Sequence, residues 1–249
     1  MKKYGLLGRK LGHSYSQRWF EELFSRLRLT DYHYGLYELS TIENLRGWVK
    51  NEGLSGFNVT VPYKMEIIPQ LDHLDTVAEA VGAVNCVTVE DGRLIGHNTD
   101  APAFQQTLGN GRWSHAYILG TGGASRAVAY ALGQLGISFS FVSRNKRNAN
   151  IISYGHLFER LQHAASQQIS TLIVNATPVG MYPDINNTPL NLSTLLSPFS
   201  SFCFYDLTYN PSPTLLMRQA AALGAQTKDG LEMLHLQAEL SWDLFKNEK

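Results

Sequence analysis

Ala116-Tyr117-Ile118-Leu119-Gly120-Thr121-Gly122-Gly123-Ala124-Ser125 runs from an apolar segment through a glycine turn into a small-residue stretch that continues to Leu135. The apolar residues 116–119 read as a buried strand, and Ala124 to Leu135 as a helix. Gly120-x-Gly122 between them is half of a dinucleotide fingerprint. Glycines allow the tight turn and close backbone approach that a pyrophosphate needs, and the helix start supplies N–H groups and a positive dipole end. Ser125 stands where that fingerprint has its third glycine. The next strand, Ser138 to Val142, runs into Ser143-Arg144-Asn145-Lys146-Arg147. An acidic residue here would bind the ribose hydroxyls of NAD. The three cations suit the 2′-phosphate of NADP instead.

The same alternation continues on both sides. Lys3 to Leu7 reads as a strand, and Trp19, Phe20, Leu23, Phe24 and Leu27 recur at helical spacing. Tyr32 to Leu39 predicts a strand, Ile42 to Lys50 a helix, and Gly56 to Val61 a strand. Val84 to Val89 and Arg93 to Gly96 flank Asp91-Gly92, a hairpin turn signal. After a helix at Phe104 to Leu108 and the glycine turn, further strands are expected at Leu172 to Asn175 and Phe202 to Asp206, with helices between. Strands separated by helices imply parallel pairing and right-handed crossovers, hence a doubly wound nucleotide-binding domain. Both halves read as α/β, with a boundary near 98–105. Leu231 to Phe245 predicts a last, largely apolar helix that must be buried against something.

Composition narrows the function. Hydrophobic residues make up 44% of the 249, enough for a sizeable core. Basic and acidic residues balance at 21 each, which argues against a general nucleic-acid or membrane-surface binder. Cys86 and Cys203 form no CxxC, and the eight His show no HExxH, so no metal site is expected. The run after Met1-Lys2-Lys3 is too short for a signal peptide, and no stretch approaches the roughly 18 apolar residues of a membrane helix. A cytoplasmic protein with reduced thiols is expected.

Eight blocks in order carry a resemblance. They are Ser14-Tyr15-Ser16; Gly56-Phe57-Asn58-Val59-Thr60-Val61-Pro62-Tyr63-Lys64; Gly82-Ala83-Val84-Asn85; Gly96-His97-Asn98-Thr99-Asp100; and Gly120-Thr121-Gly122-Gly123-Ala124. Asn175-Ala176-Thr177-Pro178-Val179-Gly180-Met181, Tyr205-Asp206-Leu207-Thr208-Tyr209-Asn210-Pro211, and Asp229-Gly230-Leu231 with Gln237-Ala238 complete the set. Over nearly its whole length the sequence resembles the shikimate dehydrogenases. The resemblance implies reversible NADPH-dependent reduction of 3-dehydroshikimate to shikimate, in the biosynthesis of aromatic amino acids. It implies a Rossmann-like NADP-binding domain at 101–225 and a discontinuous substrate-binding domain, 1–100 with the helix of 226–249 returning to it. The expected partner is the small-molecule substrate, with no nucleic acid or membrane, and the chain is a monomer or homodimer.

Residue by residue, the resemblance makes Lys64 and Asp100 the catalytic pair. Lys64 would donate a proton to the nascent C3 hydroxyl, or accept it in reverse, and Asp100 would hold Lys64 and share in the exchange. Ser14 and Ser16 would bind the substrate carboxylate, Thr60, Asn85 and Gln237 its hydroxyls, and Tyr209 would lie near the carboxylate. Gly120, Thr121, Gly122, Gly123, Ala124, Ser143, Arg144, Thr177, Pro178, Met181 and Gly230 would hold NADP. Blander readings stand beside these. Ser14-x-x-Gln17 reads as a capping box, Lys64 could sit on the surface of a short helix, Asp100 could cap the helix starting at Ala101-Pro102, and Met181 could be core. The sequence departs from the family pattern at Gln17, Phe20-Glu21, Cys86, Ala101, Ala103 and Ser143-Arg144-Asn145. Either alanine would carry about 1 kcal/mol of strain if its φ had to be positive. The competing readings are a quinate/shikimate dehydrogenase that tolerates NAD, and a non-catalytic metabolite sensor.

Overall fold

The computed structural model describes residues 1–12, 14–109, 111–145, 151–195 and 198–246. The chain divides into two compact units, Met1–Ala103 with Leu234–Lys249, and Phe104–Met233.

In the first unit β1 (Lys2–Gly8) leads to α1 (Tyr15–Arg26), whose helical repeat buries Phe20, Leu23 and Phe24. Then come β2 (Tyr32–Glu38), α2 (Leu45–Glu52), β3 (Gly56–Val59), the single turn α3 (Tyr63–Glu66), β4 (His73–Leu74), α4 (Thr76–Val81), β5 (Cys86–Glu90) and β6 (Arg93–His97). The strands form one mixed sheet in the order β2-β1-β3-β5-β6-β4. β1 pairs in parallel with β2 and β3, while β3, β5 and β6 pair antiparallel. The hairpin falls where Asp91-Gly92 placed it, with φ of 49° and 77° at the two turn residues. Positive φ at both central positions matches the twist of the flanking strands. The register Cys86↔His97 brings the chain just before β5 beside the chain just after β6.

β4 and α4 carried no periodic signal, yet they are tied in by polar contacts. Asp75 N-caps α4, its Oδ1 accepting from Ala78 N–H at 2.6 Å, while its Oδ2 lies 2.9 Å from His97 Nδ1. Burial pushes the Asp75 carboxyl up, but the hydrogen bonds from His97 and Ala78 outweigh it, leaving the pKa below the ordinary carboxylate value. A depressed folded-state pKa gives stability that is present above the unfolded value of about 3.9 and lost as pH falls through the folded value. Asp75→Asn should therefore be less stable than wild type at pH 6, with the gap closing below about pH 3.9. Urea unfolding at several pH values checks this, and a gap that widens on acidification would refute it.

The second unit contains α5 (Asp100–Leu108, from Phe104 on), β7 (His115–Leu119), α6 (Gly123–Gln134), β8 (Phe139–Val142), β9 (Ile151–Ile152), α7 (Tyr154–Ser166), β10 (Thr171–Asn175), β11 (Phe202–Asp206), α8 (Leu215–Ala222) and β12 (Gln226–Lys228). All its strand pairs are parallel, in the order β12-β11-β10-β7-β8-β9. This is the Rossmann order, and the chain reverses direction across the sheet between β7 and β10. In such sheets ligands bind beyond the carboxyl ends of the strands at that reversal, where the glycine turn sits. Leu119, Leu157, Leu161, Ile173 and Phe204 are among the fully buried residues of its core. The unit extends past residue 225 because β12 pairs with β11.

α9 (Leu231–Lys246) ends the described chain. From Leu234 on it belongs to the first unit, where Ala238, Trp242, Leu244 and Phe245 pack into a core cluster. Phe245 stacks on Tyr4 with ring centroids 4.7 Å apart, and with Ala238 it is buried among Phe20, Phe24 and Tyr34.

Candidate active site

β3 ends at Val59, two residues short of the expected Val61, and the chain turns through Thr60 to Pro62 into α3. Lys64 does ride on a short helix, but not as a surface residue. Its Nζ donates to Asp100 Oδ2 at 2.7 Å, with the two side chains 18% and 7% exposed. Its carbonyl accepts from Val84 N–H at 2.7 Å, and the neighbouring Tyr63 hydroxyl donates to Leu39 O, so the turn is pinned on both sides.

Asp100 opens α5, yet Asn98 does the capping. Asn98 Oδ1 accepts from Ala101 N–H at 3.0 Å, and its Nδ2 donates to Ala83 O. The Asp100 carboxylate is thereby left for other groups: Oδ2 takes Lys64, and Oδ1 accepts from Asn85 Nδ2 at 3.0 Å. Asn85 gives its other Nδ2 hydrogen to Thr99 Oγ1 at 2.8 Å and accepts from Thr99 N–H at 2.7 Å. Ala101 and Ala103 are helical and buried, neither with positive φ, so replacing glycine at these positions costs no backbone strain. A mostly buried ammonium held by a carboxylate can give or take one proton beside a bound hydroxyl or carbonyl.

Other expected contacts in this unit are already engaged locally. Ser14 N-caps α1, its Oγ accepting from Ser16 N–H at 3.2 Å, which leaves its O–H as a donor. Gln17 turns instead to Tyr34 O, and the Ser14 bond goes to Ser16 rather than Gln17, so Ser14 is a simple cap and not half of a capping box. Between the two serines, Tyr15 meets His235 Nε2 at 3.0 Å, a link across 220 residues that no local pattern could announce. Gln237 Nε2 folds back on Leu234 O at 2.8 Å, and Thr60 N–H is held by Leu7 O.

In the second unit the glycine turn has the shape an anion needs. Gly120 has φ +107°, and a Cβ there would lie 3.1 Å from both Ser125 Oγ and Thr177 Cγ2. Ser125 is fully buried, and its Oγ has no hydrogen-bond partner among the described residues. Gly122 N-caps α6 without a side-chain bond, and the space beside its Cα is open. With Gly123 and Ala124 in the first turn, this helix start presents N–H groups to that space, and Thr121 is exposed beside it. The arrangement fits a dinucleotide pyrophosphate. Ser143 and exposed Arg144 follow β8, while Lys146 and Arg147 lie outside the described residues.

Thr177 is set by Asn175, whose Oδ1 accepts from both the Thr177 N–H (3.0 Å) and its hydroxyl (2.7 Å). Asn175 Nδ2 in turn donates to Asp206 Oδ1 at 2.9 Å. Pro178 is exposed and Met181 is 42% exposed, which removes the core reading of Met181. Gly230 donates to Thr208 O at 3.2 Å, and a Cβ on it would collide with the Leu207 carbonyl, so only glycine fits. Tyr209 lies in the loop after β11 and, like Gly230, belongs to the second unit.

A Rossmann-ordered sheet with an anion-ready glycine turn, in a chain that also carries a buried lysine–aspartate pair, has the parts of a nicotinamide-linked oxidoreductase. Residues 6–87 match the family model for the shikimate dehydrogenase substrate binding domain. A shikimate dehydrogenase (NADP(+)) of Shouchella clausii is 36% identical, covering 96% of this chain and 91% of that protein. The crystal structure of shikimate dehydrogenase 1 from Peptoclostridium difficile is 36% identical with a TM-score of 0.85, covering 100% of this chain and 93% of the other. The Thermus thermophilus enzyme, solved with NADP(H) and shikimate, is 31% identical with a TM-score of 0.84, covering 98% and 93%. The chain belongs to the shikimate dehydrogenase family.

Proposed function

We propose that Lys64 and Asp100 carry out the proton exchange of an NADP-dependent shikimate dehydrogenase, which reversibly reduces 3-dehydroshikimate to shikimate. The observation that carries this assignment is the 2.7 Å Lys64 Nζ–Asp100 Oδ2 pair, which joins two family blocks 36 residues apart. Reduction builds negative charge on the ketone oxygen, and the Lys64 ammonium gives it a proton as that charge develops. In the reverse direction the neutral Lys64 amine takes the proton from the C3 hydroxyl. Asp100 keeps Lys64 aimed and accepts a hydrogen bond from the substrate hydroxyl. Ser14 and Ser16 donate to the substrate carboxylate, with Tyr209 near it, and Thr60, Asn85 and Gln237 order the ring hydroxyls, where unmatched polar groups give specificity.

NADP, when bound, supplies the hydride acceptor or donor. Gly120 to Ala124 would hold its pyrophosphate, Ser143 and Arg144 its 2′-phosphate, and Thr177, Pro178 and Met181 the nicotinamide side, with Gly230 a further cofactor contact. The enzyme works in the cytoplasm as a monomer or homodimer, with the unit Phe104–Met233 as its cofactor domain and Met1–Ala103 with α9 from Leu234 on as its substrate domain. No helix among the described residues is long and apolar enough to cross a membrane.

Initial rates at the NADPH absorbance band, with shikimate or quinate and NADP or NAD, test the assignment. Shikimate with NADP should be the fastest of the four pairs. Faster quinate or NAD turnover would move the protein to the quinate/shikimate branch, and binding without turnover would make it a sensor.

A further inference from the structure

Ser241 lies on α9, fully buried, one turn beyond Gln237 and outside every block that marks the site. Its hydroxyl donates to Gln237 O at 2.8 Å, one turn back along the helix. A hydroxyl has one hydrogen to give, so toward its other neighbours Ser241 Oγ can only accept. One of these is Asn58 Nδ2 at 2.8 Å, and the other is the Thr99 hydroxyl at 3.3 Å. With the Ser241 hydrogen committed, the Thr99 hydrogen must point at Ser241. Thr99 Oγ1 then presents a lone pair to Asn85 Nδ2, whose second hydrogen goes to Asp100 Oδ1. Asn58 closes the other side, donating also to Asn85 O and accepting from the Tyr34 hydroxyl at 2.8 Å. Asn58, Asn85, Thr99 and Asp100 are all buried, so water does not compete for these bonds.

We propose that Ser241 is a positioning residue for the Lys64–Asp100 pair. It fixes the hydrogen direction in a buried chain, Asn85 to Thr99 to Ser241 to Gln237 O, that holds Asp100 Oδ1 and so leaves Oδ2 for Lys64. The proposal rests on the reading that this pair exchanges the proton. It also explains why α9 bears a hydroxyl on a face otherwise packed with apolar and aromatic side chains. Without the Ser241 acceptor, Thr99 and Asn58 each keep a buried hydrogen with nowhere to go, and the hold on Asp100 loosens.

Ser241→Ala should lower kcat for shikimate oxidation roughly 5–30-fold, with the shikimate KM and the Kd for NADP within about twofold of wild type. Thr99→Val should do the same, and the double variant should be no worse than Thr99→Val alone, because both cut one chain. Ser241→Cys, which keeps the volume but is a poor acceptor, should fall with Ser241→Ala and serves if the alanine variant does not fold. A kcat within twofold of wild type, or effects of the two single changes that multiply, would overturn the proposal. The ¹⁵N signal of the Lys64 ammonium gives a readout that needs no turnover. Ser241→Ala should move it at constant pH, and an unmoved signal counts against the chain. A wild type with no turnover would sink the functional reading, and that signal alone would then decide the role of Ser241.

Discussion

Lys64→Ala is expected to lower kcat for shikimate oxidation by about 10²–10⁴-fold while leaving the Kd for NADP within about threefold. The drop follows from losing the proton acceptor at the reacting hydroxyl. The unchanged Kd follows from placement, since the glycine turn and Arg144 belong to the other compact unit. Truncation also leaves Asp100, 7% exposed, with Asn85 as its remaining hydrogen-bond donor among the described residues, so some stability is lost as well. Asp100→Asn does not escape the problem. An amide can accept at one atom only, and Asp100 faces donors at both oxygens, Lys64 on Oδ2 and Asn85 on Oδ1. Steady-state kinetics with NADP titrations check this. A Lys64→Ala protein that keeps most of its kcat would remove Lys64 from the chemistry.

Asp206→Ala is expected to cost about 3–5 kcal/mol of stability. Asp206 ends β11 fully buried, and its carboxylate accepts from Asn175 Nδ2 (2.9 Å), Thr208 N–H (3.0 Å) and the Thr214 hydroxyl (2.8 Å). Burial pushes its pKa above the usual carboxylate value despite these donors. Alanine would leave all three donors without that acceptor, and would release Asn175, which sets Thr177. Asp206→Asn should be far milder. Its Oδ1 still takes Asn175 and Thr208, and the new amide can donate to Thr214 Oγ1 once that hydroxyl rotates. Urea unfolding of both variants separates them, and an alanine variant within about 1 kcal/mol of wild type would refute the assigned role.

Legibility in the sequence tracked the range of the interactions. The glycine turn, the Asp91-Gly92 hairpin and the strands around them were readable because a backbone conformation or a period of two residues announces each locally. Two-residue strands such as β4 and β9 have no period to read, since they exist only through their parallel neighbours. α4 left a fainter local trace, an Asp75 cap before it and Gly82 with φ +66° after it. The lysine–aspartate pair was found through its family blocks, but which residue capped α5 was not. Asn98 and Asp100 are both capping types two positions apart, and the tertiary demand of Lys64 decides between them. Ser241 left no local signal, because its role depends on which face of α9 meets Thr99.

The most direct measurement uses shikimate deuterated at C3, incubated with the protein and NADP, followed by mass analysis of the reduced cofactor. Recovered NADPH should carry the deuterium, because the hydrogen on the carbon bearing the oxidised hydroxyl is the one transferred. NADPH formed without the label, or none formed at all with correctly folded protein, would contradict shikimate dehydrogenation at the site of Lys64 and Asp100.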